Sequence, residues 1–145
     1  MIKHAIRFAA ALGFALGSLS GAASAAEPTG TWLTQQGDAQ VRVAKCGNGM
    51  CGTIVWLREP TDPQTGRPQV DDKNPNPALR NRKIIGLRIF SMAPDGNGGY
   101  AGSIYNADDG QSYRSRIVLQ GAGQLEVQGC VGPLCGSEQW RRVGR

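Results

Sequence analysis

From Gly30 onward, apolar and polar residues alternate with a period of two, and no stretch keeps a helical period. Successive side chains on a strand point to opposite faces, so this pattern describes strands with one buried face. Val41 and Val43 alternate with Gln40 and Arg42, and Ile54 and Trp56 follow a turn at Gly47–Met50. Ile85, Leu87 and Ile89 alternate with Gly86 and Arg88, and Tyr113, Ser115, Ile117 and Leu119 alternate with Arg114 and Arg116. Leu125 and Val127 lie between Gln124, Glu126 and Gln128, and Trp140 lies between Gln139 and Arg141. With Thr31–Gln35 and Tyr100–Tyr105 added, eight strands are expected, at 31–35, 39–46, 51–58, 84–92, 99–105, 111–119, 123–130 and 136–143. Turn residues separate them at Gln36-Gly37-Asp38, Pro94-Asp95-Gly96-Asn97, Asp108-Asp109-Gly110 and Gly121-Ala122-Gly123. Sequential antiparallel strands with one apolar face form a sandwich or close on themselves. The expected fold is all-β, an eight-stranded antiparallel up-and-down barrel. Its inward positions would be Trp32, Val41, Val43, Ile54, Trp56, Ile85, Leu87, Ile89, Leu125, Val127 and Trp140.

Residues 59–83 break the meander, with five prolines and the acidic pair Asp71-Asp72. A loop this long in a compact domain is usually functional or disordered. Asp71, Asp72, Asn74 and Asn76 do not follow the spacing of a calcium loop and have no glycine for its turn. Asx-turns and a helical turn near Ala78–Asn81 are the expectation, with a lid over the barrel mouth as the functional version.

The N-terminus has a different character. Lys3 and Arg7 precede an apolar run from Phe8 to Leu19, and Ala23-Ser24-Ala25 offers small residues at A-x-A spacing. This is the pattern of a signal peptide over 1–25, cut near Ala25/Ala26, with one domain over 26–145 in the periplasm or secreted. The apolar run is short for a membrane span, and an integral membrane protein is not expected. Loss of Lys3 and Arg7 lowers the formal net charge from +5 to +3. The basic groups Arg80, Arg82, Lys83, Arg88, Arg114 and Arg116 lack interleaved aromatics, so nucleic acid is not expected as a partner. Cleavage also removes His4, the single histidine, and with it any histidine-based triad or metal site.

Four cysteines remain, Cys46, Cys51, Cys130 and Cys135, in two C-x4-C pairs that each bracket a turn. A four-thiolate zinc site uses such pairs, but an oxidising compartment favours disulfides. The hairpin geometry favours Cys46–Cys51 and Cys130–Cys135, although spacing alone leaves the crossed connectivities open. Catalysis finds little support. Asp108-Asp109 and Asp71-Asp72 are adjacent pairs that a strand would point to opposite faces, and Glu59 and Asp62 lie on the loop. Ser103, Ser112 and Ser115 have no base nearby in sequence. No catalytic residue, metal or cofactor is expected.

Two resemblances follow from particular residues. Gly30-Thr31-Trp32 in the first strand and Trp140-Arg141-Arg142 in the last resemble the lipocalin or calycin pattern. That resemblance implies a base closed by an arginine against the early tryptophan, here Arg142 on Trp32. The chain also resembles the family of secreted bacterial proteins called domain of unknown function 2147. The matching stretches are Gly30-Thr31-Trp32, Cys46 to Cys51-Gly52, Ile54-Val55-Trp56-Leu57, Asp71 with Lys73-Asn74-Pro75, and Leu79-Arg80 with Gly86-Leu87. Tyr105-Asn106, Asp109-Gly110, Tyr113, Gly129-Cys130, Cys135, Trp140 and Arg142 continue the match, with Ala107 standing where the family is expected to carry proline. The resemblance implies an exported calycin-like barrel and transfers no catalytic residue.

A small binding barrel is therefore expected, for a small hydrophobic or lipid-like ligand. Val43, Ile54, Trp56, Leu87, Ile89, Tyr105, Tyr113 and Val127 are the expected cavity lining. The alternative is a filled barrel that meets an envelope protein through its long loop and basic rim. Oligomeric state is left open.

Overall fold

The computed structural model describes residues 27–145, so the signal-peptide reading falls outside the described residues. Eight strands run in chain order: β1 Gly30–Leu33, β2 Ala39–Cys46, β3 Gly49–Leu57, β4 Arg88–Pro94, β5 Tyr100–Asn106, β6 Gln111–Gln120, β7 Gln124–Val131 and β8 Leu134–Gly144. Each pairs with its neighbour, and β1 pairs antiparallel with β8, which closes the barrel. Closure removes the sheet edges that would otherwise template pairing with another chain.

Up-and-down connectivity sorts the turns into two ends. One end carries the turns after β2, β4 and β6 together with both ends of the barrel chain. The other carries the turns after β1, β5 and β7 and the long β3–β4 connection. At the first end the barrel is solid: Trp32, Ile117 and Leu125 are fully buried, and Val43, Met50 and Met92 nearly so. Arg142 closes this base. Its guanidinium lies 4.4 Å from the Trp32 ring centroid. Its Nε donates to Ala122 O at 2.7 Å and its Nη1 to Thr29 O at 2.7 Å. The Trp32 indole N–H donates to Pro28 O at 2.9 Å, so this buried donor is satisfied. Gly30 has φ +138°, and a Cβ there would collide with the Arg142 guanidinium. The Gly-x-Trp pattern thus has a steric cause.

Two bulges correct the expected alternation. In the β2–β3 ladder Val41 faces Ile54 but Gln40 faces Trp56, leaving Val55 as an extra residue. The parity flips, Leu57 turns inward, and Trp56 ends on the outer face with 40% of its surface exposed. Between β3 and β4, Gly52 faces Phe90 while Thr53 faces Arg88, so Ile89 is the extra residue. Phe90 and Met92 consequently join the core, and the Phe90 ring occupies the space that Gly52 leaves by having no side chain. β4 also starts at Arg88 rather than near residue 84. Gly86, at φ +99°, turns the chain there, and Ile54 N and O bond to Leu87 O and Gly86 N instead. Ile84 is buried by that turn and Ile85 is exposed.

The 59–83 connection is ordered. Thr61 bridges Pro68 and Val70 bridges Lys83, and a 3-10 turn covers Pro77–Leu79, capped by the Asn76 side chain. Its anchor is Asp71, which is fully buried. The carboxylate accepts from Tyr105 Oη at 2.6 Å, Asn74 Nδ2 at 2.9 Å and Arg82 Nε at 2.9 Å.

Candidate ligand cavity

The inward residues of β7 and β8 are fixed by one hairpin. Cys130 faces Cys135, so Val127 faces Glu138, Leu125 faces Trp140, Gly129 faces Gly136, and Val131 faces Leu134. Since Leu125 and Trp140 are in the core, Val127, Glu138, Gly129, Gly136, Val131 and Leu134 share their face. The two glycines place no side chain in the upper barrel, and a Cβ at either would meet nothing within 4 Å. Val131 and Leu134 keep 65% and 77% of their surface exposed at the rim, although they lie on the inward face. The upper half is therefore hollow where the lower half is solid.

The resulting cavity has a volume of about 710 Å³ and opens between the β1–β2, β5–β6 and β7–β8 turns. Val41, Ile54, Ile89, Ile104, Val127 and Trp140 form its apolar wall, with Ile84 entering from the long connection. Among the described residues, its only charged lining groups are Asp38, Asp108 and Glu138. Asp38 accepts from the Thr34 hydroxyl within its turn at 2.6 Å. Glu138 is half-buried, and its Oε1 accepts from the Trp140 indole N–H at 2.9 Å.

Of the expected lining residues, Ile54, Ile89, Tyr105, Tyr113 and Val127 lie at the cavity. Val43 and Leu87 do not. Val43 is packed into the filled lower half, and Leu87 is buried in the turn before β4. Trp56 stands outside the barrel for the reason given by the β3 bulge. The tyrosine hydroxyls are committed elsewhere. Tyr105 donates to Asp71, and Tyr113 donates to Asp109 in the β5–β6 turn. Burial, then the Asp71 hydrogen bond, pushes the Tyr105 phenol above its ordinary range; the Asp109 bond does the same to Tyr113. Burial pushes the Asp71 carboxyl up, but donors from Tyr105, Asn74 and Arg82 outweigh it and hold it below the usual range. Held by three donors, one of them the Arg82 guanidinium, Asp71 serves as the loop's anchor.

Both disulfides lie within hairpins. Cys46–Cys51 spans the β2–β3 turn at the closed base with Cα atoms 5.8 Å apart. Cys130–Cys135 spans the β7–β8 turn at the mouth, with Cα atoms 4.0 Å apart. The ladder makes the second a directly facing pair, whereas Cys51 faces Ala44 and the first bridge is diagonal. Among the described residues no helix is long and apolar enough to cross a membrane.

A closed eight-stranded antiparallel barrel, solid at an arginine-sealed base and hollow at its mouth, is a lipocalin-like architecture. The chain belongs to the family described as "Uncharacterized protein conserved in bacteria (DUF2147)", which it matches over residues 30–142. It is also similar to the solved structure of protein HP1028 from Helicobacter pylori, described as belonging to the lipocalin family. That likeness has a TM-score of 0.67 and 25% identity, covering 81% of this chain and 83% of that one. No curated protein sequence matches the chain.

Proposed function

We propose that the mature chain is an exported, non-catalytic carrier that holds one small, largely apolar molecule in the upper barrel. The carrying observation is the hollow at Gly129 and Gly136, where an inward-facing wall that includes Val131 and Leu134 is left uncovered. About 710 Å³ lies within the range of ligand pockets, and an apolar wall with few polar groups is the chemistry of such sites. Two disulfides support residence in an oxidising compartment, as the signal-like N-terminus does, and so a periplasmic or secreted protein. The hollow favours the carrier over a filled barrel that works only through its loop and rim.

Gly136→Leu tests this directly. Position 136 has open space and no left-handed φ, so leucine fills the cavity without straining the strand. Titration with the neutral dye N-phenyl-1-naphthylamine should show saturable binding at one equivalent in the wild type. The variant should lose at least about tenfold in affinity, with its melting temperature kept. Equal binding by both proteins would contradict the reading.

A further inference from the structure

We propose that the cavity selects amphiphiles with a cationic head, an amine or guanidinium group on an apolar body, and that Glu138 is the pairing group. This deepens the carrier reading and rests on it. Among the described residues the cavity wall has three carboxylates and no lysine or arginine, in a chain whose bases outnumber its acids. The basic groups of β6 illustrate the segregation: Arg114 and Arg116 alternate with the inward Ser115 and Ile117 and so stand outside. There Arg116 pairs with Asp95, and Arg114 donates to Gly132 O at 2.9 Å.

Glu138 differs from the other two carboxylates in position. Asp108 is exposed on a turn, and Asp38 is engaged by Thr34. Glu138 faces Val127 on the inward side, two residues above Trp140, where the apolar floor gives way to the glycine-lined hollow. Trp140 holds one carboxylate oxygen, and none of the described salt bridges involves Glu138. A fixed carboxylate oriented by a buried indole presents an acceptor to a ligand without first having to be ordered. A cation there gains a partly desolvated ion pair. A fatty-acid carboxylate in the same cavity would meet like charge and no described cationic side chain on the wall.

The test uses three probes with one tail and different heads: n-decylamine, n-decanol and n-decanoate, each displacing N-phenyl-1-naphthylamine at neutral pH. The wild type should prefer the amine over the alcohol by about tenfold, with decanoate weakest. Glu138→Gln keeps an acceptor for the Trp140 N–H and should bring amine and alcohol within about threefold of each other. In Gly136→Leu all three should weaken together. Equal displacement by the three probes in the wild type, lost in Gly136→Leu, would overturn charge selection and leave the carrier standing. Amine binding that survives Gly136→Leu would put the site elsewhere and overturn the assignment. Failure of every probe to bind the wild type would remove the carrier reading as well. The three-probe comparison on the wild type decides the matter even if Glu138→Gln folds poorly.

Discussion

At the scale of single residues, the least expendable polar group is Asp71. It is fully buried and accepts three side-chain donors, one of them on the barrel and two on the loop it belongs to. Asp71→Asn should lower stability at neutral pH by about 1–3 kcal/mol, read as a shift in the urea midpoint. The folded carboxyl titrates below its unfolded value, so its contribution is complete above the unfolded pKa. It is lost as pH falls through the folded one. The wild type should therefore lose part of its stability on acidification through that window, and Asp71→Asn should lose less. Asp95 titrates in the same direction, held at about 2 chiefly by the Arg116 hydrogen bond, so Asp95→Asn should also lose less on acidification. None of this was readable at Asp71 in the sequence. An acidic pair in a proline-rich loop carries no sign of a tyrosine 34 residues away.

At the scale of elements, the strands were legible, and so was their phase at Trp32, Val41, Val43, Leu125, Val127 and Trp140, but not across two bulges. Alternation locates β2, β3, β6 and β7 closely because each has one apolar face. It fails at Trp56 and at Phe90, since a bulge adds a residue without leaving a mark in the polar pattern. The long connection is fixed by close backbone approach as well as by Asp71. Gly110, at φ +73°, lies against the Lys73 carbonyl, with no room for a Cβ. Gly110→Ala should therefore undock the connection and speed tryptic cleavage at Arg80, Arg82 and Lys83 about tenfold or more, with the barrel's circular dichroism unchanged. Cleavage at the wild-type rate would contradict that docking. The two disulfides should also part company. Each closes a loop of about six residues, so replacing either pair with serine should cost about 2 kcal/mol in the chain-entropy model. Only loss of Cys130–Cys135, at the mouth, should also weaken binding of the naphthylamine dye. Equal effects on binding would argue against a mouth-end site.

At the scale of the whole molecule, the two ends of one barrel differ. Trp32, Arg142 and the packed layer above them make a stable floor, and the missing side chains at Gly129 and Gly136 leave room over it. Part of this site was within reach of the sequence. Once Cys130 and Cys135 face each other across a tight turn, the ladder places Glu138 opposite Val127, on the face of Trp140. The signal missing was the register, because a C-x4-C spacing alone does not say whether the cysteines pair directly or diagonally. The Cys46–Cys51 bridge, which is diagonal, shows that both occur in this chain. The volume of the hollow depends on which strand positions converge, and no local pattern encodes that.

A small molecule carried at the mouth of this barrel would travel with the protein through purification. Native mass spectrometry of the mature, oxidised protein, purified gently from its own envelope, tests it most directly. A reproducible excess mass that is lost on denaturation, and absent from Gly136→Leu prepared in the same way, is the predicted result. The same spectrum should show the bare chain four hydrogens lighter than its reduced form, for two disulfides. A wild-type protein that repeatedly arrives with no added mass, and also fails to take up the decyl probes, would contradict a carrier.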